Sequence, residues 1–203
     1  MKRNPFKTII VTGVPGVGKT TVLNIAGKML EDRNIKYIVA NFGDYMLKEA
    51  IDEKLVSSRD ELRKISHRKQ LELQRNAARR IIIEASKVIG EDGILLIDTH
   101  TIIKTAAGYW PGLPEHVVKE LSPDSIVLIE ADPEEILERQ AKDKGRDRRD
   151  VGELKIVSEM LLMARIAAVS SATLTASSVY IIRNPKGKAE EAAMKLIDLI
   201  GKI

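Results

Sequence analysis

Five short apolar runs punctuate the chain: Lys7–Thr12, Lys36–Asn41, Ile94–Asp98, Ser125–Glu130 and Val179–Arg183. Each is of strand length and built on Ile, Val or Leu, and ILLID is a continuous apolar run up to its final Asp, as strands buried on both faces are. Between them the apolar residues recur at helical spacing. Val22, Leu23, Ile25, Ala26, Met29 and Leu30 predict a helix over Lys19–Arg33. Further helices are predicted over Tyr45–Lys54, Pro114–Leu121, Glu153–Ala176 and Ala189–Ile200. Ser58 with Glu61 forms a capping-box pattern, which predicts one long polar helix from there to about Ile89. Asp132-Pro133-Glu134-Glu135 reads as another helix start, with a capping acid, proline in the first helical position and acids in the first turn. Gly108, Pro111, Gly112 and Pro114 predict a loop. Strands alternating with helices call for a parallel sheet covered on both faces, the three-layer α/β arrangement.

At 203 residues the chain suits a single domain with a full core. Aromatic residues are 3% of the total, so that core is built from Ile, Val, Leu and Ala. The absence of cysteine excludes disulfides and thiolate metal sites. The formal charge of +4 is compatible with a phosphate-bearing ligand. The basic segment Met1–Lys7 is followed by too few apolar residues for a signal peptide, and no stretch is expected to reach the length of a membrane-spanning helix. The expected location is cytoplasmic.

Gly13-Val14-Pro15-Gly16-Val17-Gly18-Lys19-Thr20 satisfies G-x-x-x-x-G-K-[ST] in full. It follows a predicted strand and precedes a predicted helix, the setting in which the motif works. Glycines let backbone N–H groups turn inward around a phosphate, and the helix N-terminus adds partial positive charge. Lys19 supplies a full charge for the terminal phosphates, Thr20 a hydroxyl for Mg²⁺, and Thr21 a hydroxyl for the inner phosphate. The motif shows nucleotide binding without naming the reaction.

Phosphoryl transfer asks the protein for positioning and charge stabilisation. Asp98 lies at the carboxyl end of its strand, the ligand-facing edge of a parallel sheet, where it suits either the water shell of Mg²⁺ or a turn cap. The segment RQAKDKGRDRR concentrates Arg139, Arg146, Arg148 and Arg149 around a helix-breaking Gly145. It reads as a mobile lid over phosphates, as a solvated charged end, or as an RNA-contacting patch; scarce aromatics count against RNA. Arg165 stands alone in an apolar run, and its anionic partner is either a phosphate or a neighbouring carboxylate.

Together GVPGVGKTT (Gly13–Thr21), NFGDYM (Asn41–Met46), DELRK (Asp60–Lys64), DTHTIIKT (Asp98–Thr105), GYWPGLP (Gly108–Pro114), EADPEEILERQ (Glu130–Gln140) and VYIIRNPKG (Val179–Gly187) resemble the archaeal-type adenylate kinases, nearly end to end. The resemblance implies a five-stranded parallel sheet of the P-loop NTPase kind, a monophosphate-binding arm over residues 42–71 and a short lid over residues 139–150, all in one domain. It implies reversible transfer from Mg²⁺-ATP to AMP giving two ADP. Donor binding falls to Gly13–Thr21 with Asn184 and Pro185, and metal support to Thr20 and Asp98. The acceptor falls to Asp44, Arg63, His100, Lys104 and Tyr109, and the moving phosphoryl group to Lys19, Arg139, Arg146, Arg148 and Arg165. It also implies a homotrimer, and Ile156–Val179 is apolar around much of its circumference, as an interface helix or a central core helix would be.

Two other readings remain open here. A P-loop kinase for another nucleoside monophosphate or small metabolite would share the fold and differ in the arm. A nucleotide switch or RNA-associated protein is a different class; no membrane or nucleic-acid partner is expected. The guanine-reading Asn-Lys-x-Asp string is absent from the sequence.

Overall fold

The computed structural model describes residues 2–62, 64–105, 108–142 and 153–203. Arg63, Arg146, Arg148 and Arg149, with most of the expected lid, therefore lie outside the described residues.

The chain runs β1 (Lys7–Thr12), α1 (Lys19–Glu31), β2 (Tyr37–Asn41), α2 (Phe42–Asp52), α3 (Arg59–Leu62), α4 (His67–Val88), β3 (Ile94–Asp98), β4 (Ile102–Thr105), β5 (Gly108–Pro111), α5 (Glu115–Leu121), β6 (Ser125–Glu130), α6 (Pro133–Lys142), α7 (Leu154–Thr173), β7 (Ser178–Arg183) and α8 (Ala189–Ile200). The five expected strands form one sheet in the order β2-β3-β1-β6-β7, and every pairing is parallel. Right-handed crossovers place α1 with α8 on one face and α4, α5 and α7 on the other. Ile9, Ile10, Leu95, Leu96, Ile97, Ile126 and Val127 are buried in the strands, and Leu23, Leu30, Ile81 and Leu121 join the same core from the helices. The chain leaves β1 toward β2 on one side and returns to β6 on the other. The carboxyl ends beside β1 therefore open into a crevice.

Three sequence expectations change. The long helix from Ser58 divides into α3 and α4, because Ser66 caps a new start by accepting from the Lys69 amide at 3.4 Å. The capping box is only half formed: Ser58 Oγ accepts from the Glu61 amide, but the Glu61 carboxylate turns back to the amide of Ser57 at 2.7 Å. The loop read from Gly108, Pro111, Gly112 and Pro114 is instead an antiparallel hairpin, β4 with β5, pairing Ile103 with Trp110 and Lys104 with Tyr109. Its β-branched and aromatic residues outweigh the prolines and glycines, which lie at its ends. Gly112 closes it where a Cβ would overlap the carbonyl oxygen of His100. Finally, α7 is long and apolar enough to cross a membrane, by length and composition alone. It packs here on β4, β6, β7 and α6, and Val157, Ala164, Ala168 and Ala172 enter the core.

Candidate active site

A cleft of about 480 Å³ lies at the carboxyl ends of β1, β2 and β3. One end is the turn between β1 and α1. Gly13 has φ of 149°, and a Cβ there would overlap the Ile129 carbonyl oxygen, so only glycine brings this turn against β6. Pro15, Gly16, Gly18, Lys19, Thr20 and Thr21 line the cleft, whereas the side chains of Val14 and Val17 are buried in the core. Three carbonyls of the turn are held by side chains. Gln140 Nε2 donates to Pro15 O at 2.6 Å. Val17 O accepts from Asn184 Nδ2 at 2.8 Å and from Arg139 Nη1 at 3.1 Å. Gly13 O accepts from Lys19 Nζ at 3.1 Å. With these carbonyls already bonded, the N–H groups between them remain for a phosphate.

His100 Nδ1 also lies 2.8 Å from Gly13 O. A carbonyl only accepts, so Nδ1 carries the proton and, in the neutral ring, Nε2 is the acceptor. The 3.5 Å approach of Lys19 Nζ to Nδ1 then joins two donors around one oxygen. Lys19 Nζ is also 4.0 Å from Asp98 Oδ1. Asp98 accepts from Asn41 Nδ2 at 3.2 Å, and Asn41 in turn caps α2 by accepting from the Asp44 amide. The carboxylate at the end of β3 is thus tied to the end of β2 and to the start of α1.

The other end of the cleft is walled by Asn41, Phe42, Gly43, Met46, Arg59 and Gln74. Arg59 reaches over the start of α2, with Nη1 3.3 Å from the exposed Asp44 carboxylate. Behind this wall α2 and α4 are joined by Arg80, which binds Glu49 at 2.9 Å, Asp52 at 2.6 Å and Glu84 at 3.0 Å. Tyr45 donates to Glu84 at 2.8 Å; burial first, then that carboxylate, push its pKa up to about 12.

The structure thus brings together Lys19, Thr20, Thr21, Asp98, His100 and Arg139 with the glycine-rich turn. Asn184 supports that turn from behind, and Pro185 follows it on the surface. Lys104 and Tyr109 are directly paired, so they share the ribbon face opposite that of Ile103, the hairpin residue that lines the cleft. Burial and the Glu159 carboxylate on α7 both raise the Tyr109 pKa. Asp44 acts on Arg59 and does not line the cleft. Arg165 makes a two-pronged pair with Glu130, at 2.7 and 2.6 Å, which raises its pKa; the partner left open by the sequence is a carboxylate. Arg59 and Gln74 were missed. Gln74 falls in phase with Ala78, Ile81 and Ala85 on the buried face of α4, and a polar residue in that phase is the signal that marks it.

Residues 12–157 match the family model of an AAA domain. The chain is 50% identical to the adenylate kinase of Saccharolobus islandicus over 193 residues, covering 95% of this chain and 98% of that one. It is 47% identical to the adenylate kinase of Methanopyrus kandleri over 192 residues, 95% and 96% of the two chains. The chain belongs to the adenylate kinase family. The adenylate kinase of Methanocaldococcus jannaschii is 41% identical over 194 residues, 96% of this chain and 98% of that one. A shikimate kinase structure from Bacteroides thetaiotaomicron superposes with a TM-score of 0.54 at 16% identity, covering 96% and 98%; at that identity the likeness concerns the fold alone. The chain is a P-loop kinase of the nucleoside monophosphate class, and its fold, turn and cleft agree with that membership.

Proposed function

We propose that the chain transfers a phosphoryl group reversibly between ATP and AMP, giving two ADP, at the cleft beside β1. The observation that carries this reading is a single cleft with a phosphate cradle at one end and Arg59 at the other. The N–H groups of Gly13–Thr21 and Lys19 receive the donor phosphates; Lys19 exchanges its bond to Gly13 O for them. Arg59 exchanges the exposed Asp44 for the acceptor phosphate, which its planar fork suits. Arg139 and Asn184 keep the turn in shape. The lid expected over residues 139–150, with Arg146 and Arg148, and the arm over residues 42–71 with Arg63 close over the phosphates and exclude water, which would otherwise take the phosphoryl group.

The donor set suits Mg²⁺. Thr20 and Asp98 offer oxygen ligands in the cleft, and no cluster of three His, Cys, Asp or Glu able to cage a metal is found among the described residues. Such a sparse site fits an ion that keeps waters and phosphate oxygens as its main ligands. When bound, it neutralises charge on the phosphates; Asp98 orients its water shell and Thr20 offers its hydroxyl.

The outer face of α7 carries Leu162, Ile166 and Val169, each more than half exposed, which supports self-association; three copies is the number that the family resemblance implies. A cytoplasmic location accords with this substrate chemistry.

The test is an acceptor screen coupled to ADP formation. AMP is expected to be the preferred acceptor. Hydrolysis of ATP with no ADP gained from AMP, or a clear preference for another acceptor, contradicts the reading.

A further inference from the structure

Asn41 ends β2 and Asp98 ends β3, and the two are directly paired, so their side chains leave the same face of the sheet. Both line the cleft. The Asn41 carboxamide uses both of its ends there. Nδ2 donates to Asp98 Oδ2 at 3.2 Å, and Oδ1 accepts from the Asp44 amide at 3.2 Å, which caps α2. A backbone amide only donates and a carboxylate only accepts, so this orientation of the carboxamide satisfies both neighbours and the flipped one satisfies neither. Oδ1 also lies 3.5 Å from Arg59 Nη2. Gly43 leaves room for that approach: a Cβ there would overlap Arg59 Nη2 and stand 3.3 Å from Asn41 Oδ1.

A cap needs only an acceptor. Ser and Asp serve an N-cap as well as Asn does, so capping leaves the donor end of the carboxamide unexplained. That end holds the carboxylate assigned above to the water shell of Mg²⁺. Lys19 Nζ also approaches Asp98, at 4.0 Å from Oδ1, but in a loaded cleft Lys19 is drawn to the donor phosphates. The bond from Asn41 has no such competing duty. Held at Oδ2 by a directed bond, the carboxylate presents its other lone pairs in a set direction, as outer partners of metal-supporting groups commonly arrange.

We propose that Asn41 is a positioning residue for Asp98, fixing the direction in which the carboxylate faces the water shell of the metal. It does so from the start of α2, the first helix of the acceptor arm. The proposal rests on the reading of Asp98 as the metal-supporting group. Because one carboxamide both caps α2 and holds Asp98, a shift of that helix carries the carboxylate with it, and the two ends of the cleft stay aligned. The competing account is that Asn41 is a cap and nothing more.

Asn41→Ser and Asn41→Thr keep an acceptor for the Asp44 amide but are too short to donate to Asp98 as well, whereas Asn41→Ala keeps neither bond. Calorimetry gives Kd for ATP with Mg²⁺ and with EDTA, and the ratio of the two is the gain from the metal. The same titrations are run on Asp98→Asn and the unmodified chain, alongside kcat, KM for AMP and thermal melting without nucleotide. For Ser and Thr, Kd in EDTA, KM for AMP and Tm are expected to hold. Their gain from Mg²⁺ and their kcat are expected to fall about 10-fold, the lower end of what losing an outer partner of a metal site costs. Asn41→Ala is expected to lose the same gain and to melt earlier. If only Ala lowers Tm, and Ser and Thr keep the gain from Mg²⁺ while Asp98→Asn loses it, the role of Asn41 is overturned and the metal reading of Asp98 stands. If Asp98→Asn itself keeps the full gain, the metal reading is overturned, and this inference with it.

Discussion

At the donor end of the cleft, backbone carbonyls of the glycine-rich turn are held by Gln140, Asn184, Arg139 and Lys19, all within hydrogen-bond distance and mostly buried. At the acceptor end, α2 and α4 are held together by the ion pairs of Arg80, and Arg59 leans on an exposed Asp44. The donor end is thus pre-shaped by backbone, whose ligands are the fixed N–H groups. The acceptor end is shaped by side chains with rotamer freedom, joined by bonds that water and salt weaken. The difference predicts that mutations at the first end cost catalysis, and that mutations at the second cost acceptor affinity or arm stability.

The largest expected effect is at Lys19. Lys19→Ala is expected to lower kcat/KM by about 10³-fold, as removal of a charge aimed at the transferred group does, while circular dichroism shows the fold retained. Next comes Arg139→Ala. Freed from Arg139, Val17 O and Asn184 shift, and a displacement of the order of an ångström costs roughly 10²-fold in kcat. KM for AMP is expected to stay put; if AMP affinity falls instead, the division between the two ends is wrong. Arg59→Ala should reverse that signature, raising KM for AMP about 10- to 100-fold with KM for ATP unchanged, and Arg59→Lys should recover only part, having the charge without the fork. Smallest is Arg80→Ala, expected to lower stability by about 1 kcal/mol, or roughly 2–4 °C in Tm, and less so in high salt.

The same arm network has a pH signature. Arg80, then Tyr45 and Lys48, hold the Glu84 carboxyl below its ordinary pKa. A depressed folded-state pKa stabilises fully above the unfolded value of about 4.3 and is lost as pH falls through the folded value. Melting curves between neutral pH and pH 3 or so should therefore show an acid loss that Glu84→Gln flattens.

The sheet and the glycine-rich turn were legible because their signals are local: unbroken Ile and Val runs for doubly buried strands, and glycines placed where the turn needs positive φ. β1, β6 and α8 have the bounds read from sequence. The hairpin was illegible because Pro111 and Gly112 signal a break wherever they stand, and only its closure against His100 shows that they end a strand. Arg59 and Arg63 are four residues apart in the sequence, and nothing in that spacing says that Arg59 lines the cleft. Arg165 illustrates the same limit. Its need for an anion was readable, but its pairing with Glu130, 35 residues away, is a product of the fold. Gln74 was readable in principle, as a polar residue in an apolar phase.

The central claim is that two nucleotides meet head to head in one cleft. Calorimetric titration with two adenosines joined through a phosphate chain tests it most directly, with ATP and AMP as competitors. One molecule per chain, displaced by either nucleotide and bound more tightly than both, is the predicted result. A ligand displaced by ATP but indifferent to AMP would mean that only the glycine-rich end is filled, and would contradict the claim.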